Sequence, residues 1–173
     1  EVNDPPAELA AKFTITHTGT IYTGKQEPSK LFAALRDLIS DEAIDLKEIE
    51  VRFYGRKHDW LDKEIEQHGL SSIVKQYGII PRYTAVEKQR ESQLLLLLDW
   101  DNSQEKGVYT GKIFEYFGAR RPILTTGGVA GNVVDVLLGE TKVGIHAPTV
   151  EDIKAALIEF YKEYKLTGKI AYN

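Results

Sequence analysis

Residues 93–100 read QLLLLLDW, and the five consecutive leucines Leu94 to Leu98 rule out most folds at once. A strand with one wet face alternates apolar and polar residues, so a run without a polar residue is buried on both faces. Five residues are far too few to cross a bilayer. The run predicts a central strand in a sheet covered on both sides. Such sheets are built from parallel strands whose connecting helices lie across the two faces.

The rest of the chain supplies those partners. FTITHTG (13–19), IEVRFYG (49–55), SIVKQYG (72–78), PILTTGG (122–128) and KVGIHAP (142–148) read as five more strands, four of them ending in glycine. Helical patterns fall between them. Leu31, Phe32, Leu35, Leu38 and Ile39 form a stripe after Pro28, and DWLDKEIEQHG (59–69) is helical with Gly69 as its stop. TAVEKQRES (84–92) reads as a short polar helix, 110–120 as an apolar one, and Asn132 as a cap for VVDVLLGE. The last helix opens with Thr149 and Asp152 and carries Ile153, Ala156, Leu157, Phe160, Tyr161 and Tyr164. Six strands alternating with helices predict an α/β fold: a Rossmann-like, doubly wound, parallel six-stranded sheet in an α/β/α sandwich. Ligands of such sheets bind outside the carboxyl ends of the strands, where the strand order reverses, so function is to be sought in the segments that follow the strands.

Composition narrows the function. At 173 residues, 42% hydrophobic and 28% charged, the chain suits one globular domain. A net charge of −4 argues against nucleic acid as a partner. The absence of cysteine excludes disulfides and thiolate metal sites. The chain begins at Glu1 and contains no methionine, which reads as a piece of a longer protein. Residues 1–12, EVNDPPAELAAK, read as a linker from a preceding domain, and 13–173 as the domain itself.

Three post-strand segments carry possible chemistry. After the first strand comes GTIYTGK, Gly19 to Lys25, where glycine lets backbone N–H groups approach an anion and lysine adds a point charge. An ordinary glycine turn with a solvated lysine fits it equally well. After the fourth strand, Asp99-Trp100-Asp101 has the spacing of a divalent-metal site for a diphosphate, but reads better as a polar strand end. GVYTGKIFEYFGARRPIL (107–124) is the strongest. Tyr109, Thr110 and Gly111 lead into a helix whose N–H groups suit a phosphate, with Lys112 adding charge. Glu115, one turn in, is placed to accept hydrogen bonds from a vicinal diol such as a ribose. Against this stands a plain N-cap at Thr110 and a solvated Glu115. Ile113, Phe114 and Phe117 read as the buried side of this helix. The four histidines show no i, i+4 metal pair; His17 ends the first strand and suits a structural hydrogen bond.

These residues in this order resemble the C-terminal, donor-binding domain of the group 1 retaining glycosyltransferases of GT-B fold, over about residues 13–165. TGKIFEYFGARRPIL resembles the family's helical glutamate followed by a Pro-initiated strand, and HTGTIYTGK its first glycine loop. The resemblance implies that Glu115 holds the nucleotide ribose and that Tyr109, Thr110, Gly111 and Lys112 face the diphosphate. It implies that Gly19, Thr20 and Lys25 form the phosphate-side loop and that Ile80 meets the base. Two positions depart from the family pattern: Thr20 stands where many members carry arginine, and Gly107 where many carry a second glutamate, eight residues before Glu115.

The expected function is therefore donor binding within a hexosyltransferase-type enzyme of polysaccharide biosynthesis. The donor is a nucleotide-diphosphate sugar, the acceptor is held by a missing N-terminal domain, and neither a cofactor nor an obligatory metal is implied. No catalytic base is identified. The parent enzyme is expected to be cytoplasmic, with association at the inner face of a membrane left open. Two alternatives stand: a non-catalytic nucleotide-binding or interaction module, and an NAD-dependent oxidoreductase domain, whose glycine fingerprint is lacking.

Overall fold

The computed structural model describes residues 7–24, 26, 28–99, 111–128, 138 and 143–172. The chain runs β1 (Phe13–Thr18), α1 (Ser29–Ser40), β2 (Ile49–Tyr54), α2 (Asp59–Gln67), β3 (Val74–Gly78), α3 (Arg82–Glu91), β4 (Leu94–Leu98), α4 (Lys112–Ala119), β5 (Ile123–Thr126), β6 (Gly144–Ala147) and α5 (Val150–Thr167), with a 3-10 turn at Leu46–Glu48. All strands pair in parallel, in the order β3-β2-β1-β4-β5-β6. The expected Rossmann-like sheet is present, and its order reverses between β1 and β4.

The leucine run behaves as its composition requires. Leu94, Leu96 and Leu98 enter a core with Phe13, Ile15, Leu31, Phe32, Leu35, Leu61, Ile153 and Leu157. Leu95 and Leu97 enter a second core with Ile113, Tyr116, Ala119 and Ile123. Alternation within one apolar strand thus feeds two layers. The first layer holds α1, α2 and α5; α4 lies in the second, and α3 joins it there.

Helix α3 packs through polar groups. Gln89 is its one buried side chain, and β1 presents Thr14, Thr16 and Thr18 to this region. Thr14 Oγ1 accepts the Gln93 N–H at 2.9 Å, and the Ser92 and Thr16 hydroxyls lie 2.6 Å apart. These bonds satisfy groups that would otherwise be buried unpaired. The last helix is capped as its sequence predicts: Thr149 Oγ1 accepts the Asp152 N–H at 3.1 Å. Among the described residues no helix is long and apolar enough to cross a membrane. The expected cap at Asn132 and nearly all of the helix it would begin lie outside the described residues.

Candidate functional site

The switch point opens because β1 and β4 part. Their register covers only Ile15 with Leu94 and Thr16 with Leu95. Beyond it, the Thr18 N–H and the Leu96 carbonyl face a gap without strand partners. Tyr116, fully buried on α4, fills it: its hydroxyl accepts the Thr18 N–H at 3.2 Å and donates to the Leu96 carbonyl at 2.9 Å. Two residues further along β4, Gln26 Nε2 donates to the Leu98 carbonyl at 2.8 Å. Two side chains thus hold the crevice open at no cost in unpaired backbone.

Two glycines, Gly19 and Gly55, line the crevice, and Gly78 lies next to them. Gly19, Gly55 and Gly78 end β1, β2 and β3, all with positive φ. The Gly19 N–H donates to the Tyr54 carbonyl at 2.7 Å, and the Gly55 N–H to the Gly78 carbonyl at 3.0 Å. A Cβ on Gly55 would lie 2.3 Å from the Gly19 carbonyl oxygen, so the two loops meet where only glycine fits. Gly19 contributes space and curvature, while its own N–H is already bound to Tyr54 and does not point an amide at an anion.

The resulting cleft has a volume of about 360 Å³. Of the residues expected from the sequence, Gly19, Thr20, Ile80, Lys112 and Glu115 line it. Gly111 precedes α4 but is exposed and is not part of the lining. Lys25, Tyr109 and Thr110 lie outside the described residues, as do Gly107 and Asp101. Sequence reasoning missed Arg56 and Arg82, which line the same cleft beside Tyr54, Gly55 and Ile79. A signal for Arg56 was available: FYGRK repeats the pattern of strand, glycine and cation that drew attention to the first loop. Nothing local marks Arg82.

Glu115 is held rather than solvated. Its Oε1 accepts from Gln89 Nε2 at 2.8 Å and its Oε2 from Lys112 Nζ at 3.0 Å. Burial pushes its pKa up, but the hydrogen bonds from Gln89 and Lys112, with the charges of Lys112 and Arg82, outweigh it and hold the carboxylate below its ordinary range. Gln89 Nε2 also donates to Thr18 Oγ1 at 2.8 Å, and Lys112 Nζ lies 3.3 Å from the same oxygen. Gln89 is the positioning residue that the sequence did not reveal, for it sits on a helix with no apolar stripe.

The buried face of α4 also differs from expectation. Ile113, Tyr116 and Ala119 are buried, whereas Phe114 is 56% exposed and meets Phe117 edge to face. A two-turn helix has room for one stripe at spacing three, and the Tyr116 bridge fixes which one. His17 is buried, and its Nδ1 has no hydrogen-bond partner among the described residues. Burial first, and Lys112 second, lower its pKa to about 3, which keeps the imidazole neutral. Asp99 is also buried, with its N–H on the Thr126 carbonyl.

Among the described residues of the cleft lining, three cations, Arg56, Arg82 and Lys112, accompany one carboxylate, Glu115. The difference, three minus one, is a net charge of +2 in a chain of net charge −4. Such a cleft attracts a multivalent anion, and its carboxylate suits hydroxyl donors on the same ligand.

No family model matches the chain, and no curated protein matches it. Solved structures do share its fold. WaaG, a glycosyltransferase involved in lipopolysaccharide biosynthesis, is 15% identical with a TM-score of 0.66, over 93% of this chain and 47% of that one. Staphylococcus aureus TarM, solved with UDP, is 12% identical with a TM-score of 0.67, over 98% and 32%. The pneumococcal O-GlcNAc transferase GtfA, solved with UDP and GlcNAc, is 15% identical with a TM-score of 0.62, over 94% and 32%. These are GT-B glycosyltransferases, so the resemblance read from the sequence holds at the level of the fold. The chain spans less than half the length of each.

Proposed function

We propose that this chain is the donor-binding half of a glycosyltransferase, which takes a nucleotide-diphosphate sugar and presents it to an acceptor held by another domain. The observation that carries this reading is Glu115 placed opposite three cations at the switch point. A ribose diol donates to the carboxylate, the diphosphate lies against Lys112, Arg56 and Arg82, and Ile80 packs against the base. The cations compensate for Thr20, the position where the family pattern has arginine.

Within this proposal the chain contributes binding and leaving-group stabilisation. Fixing the donor in one orientation converts an encounter into a positioned reaction. As the bond from sugar to phosphate breaks, negative charge grows on the departing diphosphate, and preorganised cations stabilise that charge more than the ground state. No described residue of the lining is free to act as a base: Glu115 is its one carboxylate and is engaged by Gln89 and Lys112. No metal is required in this scheme.

The test is calorimetry with UDP, GDP, ADP and dTDP, with NAD as control. One ribonucleoside diphosphate should bind best, dTDP should be weakened by its missing 2′-hydroxyl, and NAD should not bind. Glu115→Ala should weaken the best ligand by about 10- to 100-fold, the value of a charge-assisted pair of hydrogen bonds. Absence of binding by every diphosphate would overturn the reading and favour a non-catalytic module.

A further inference from the structure

We propose that Lys112 is a shared counter-ion that moves from Glu115 to the diphosphate when ligand arrives, so that phosphate binding uncovers the ribose subsite. The inference rests on the donor-binding reading above and adds a coupling within that site. Lys112 Nζ lies 3.0 Å from Glu115 Oε2, the carboxylate oxygen that Gln89 leaves unclaimed. Lys112 and Glu115 are 24% and 26% exposed, so the pair stands at the cleft wall, where a ligand can reach it. Lys112 also lies directly over the first loop: its Cε and Nζ are both 3.2 Å from where a Cβ on Gly19 would stand. A Cβ there would press on the ammonium and shift it by a few tenths of an ångström. Lysine's charge is compact and its stem flexible, so Nζ can exchange one oxygen for another without the helix moving.

The energetics favour exchange over addition. A nucleoside without phosphates must compete with Lys112 for Oε2, and displacing the ammonium leaves it without a counter-ion. A diphosphate offers the ammonium stronger, more highly charged acceptors and releases Oε2 to the diol. Oε1 stays with Gln89, whose amide is buried and fixed by Thr18, so the carboxylate keeps its orientation through the exchange. Ribose and phosphate recognition are then coupled in the sense of linkage: each strengthens the other by the same factor.

The coupling can be read without mutation. Dissociation constants are measured for four ligands of whichever base binds best: nucleoside, 2′-deoxynucleoside, nucleoside diphosphate and 2′-deoxynucleoside diphosphate, by NMR titration where affinity is weak. The 2′-hydroxyl should improve binding by about tenfold or more in the diphosphate pair, and by about threefold or less in the nucleoside pair. Equal ratios in the two pairs would overturn the proposal. Lys112→Met gives an independent reading with opposite signs: the diphosphate should bind about tenfold weaker, while the nucleoside binds a few-fold tighter because Oε2 is free. If both weaken, Lys112 supports the site without exchanging, and the proposal fails while the donor-binding reading stands. If the unmodified chain binds no nucleoside diphosphate, both fail.

Discussion

Two residues show how position changes what a side chain contributes. His17 follows two apolar residues on its face of β1, contacts Phe53, and is kept neutral by burial, with a pKa of about 3 against 6.5 when unfolded. A group with a depressed folded pKa gives stability that is complete above 6.5 and drains as pH falls toward 3, because the unfolded chain binds the proton and the folded chain does not. Between pH 7 and pH 5 the wild type should lose about 2 kcal/mol through this group. His17→Phe should flatten that stretch of the curve. Urea denaturation at the two pH values checks it, and parallel losses in both proteins would show that His17 is not the cause. Gly55 is the second case. Gly55→Ala would put a methyl 2.3 Å from the Gly19 carbonyl oxygen, at a φ of +156°. Overpacking against backbone costs about 1–3 kcal/mol, and nucleotide affinity should fall with it because Gly19 must move. Gly168→Ala, with open space around its Cβ, is the control: it should lose some stability and leave affinity unchanged.

At the scale of elements, α4 does two tasks with adjacent residues. Glu115 faces the cleft and Tyr116 reaches beneath it to join β1 and β4. Tyr116→Phe keeps the ring and removes the bridge, leaving the Thr18 N–H and Leu96 carbonyl unpaired and buried. A cost of about 2–4 kcal/mol is expected from two such groups. Thermal unfolding measures it, and a loss below 0.5 kcal/mol would mean that the strands close over the gap without help. Nucleotide affinity should also drop, since the crevice depends on their separation. Arg121 plays a comparable part at the amino end of the sheet. Its guanidinium donates to the carbonyls of Ser92, Gln93 and Ile170 at 2.8–2.9 Å, tying α3, β4 and the segment after α5 together.

For the whole molecule, a site of net positive charge in an acidic chain predicts binding that weakens as salt rises. Affinity for the preferred nucleoside diphosphate should survive EDTA; loss on chelation, restored by Mg²⁺ or Mn²⁺, would promote Asp99 and Asp101 to ligands. A donor-binding half holds one reactant only, so this chain alone should show no multiple-turnover sugar transfer. NMR shifts on binding should appear at Gly19, Thr20, Ile80, Lys112 and Glu115 and leave α5 unchanged. Perturbations confined to α5, or turnover by the isolated chain, would sink this picture.

The sequence by itself determined the layers and their order, because those follow from periodicity. The leucine run required a sheet covered on both faces, strand ends were marked by glycine, and Thr149 with Asp152 marked the last helix. It also placed Glu115 and Lys112 one turn apart at the start of a helix after a strand, which is enough to suspect a site. Tertiary structure alone decided what completes that site. Gln89 and Thr18 are 71 positions apart, Gln89 and Glu115 are 26 apart, and Arg56 and Arg82 follow different strands. Local patterns record which face of an element is buried; which distant polar groups meet depends on strand register and on where β1 and β4 part. That parting is a property of the assembled sheet, and it is what turns the ends of several strands into one cleft.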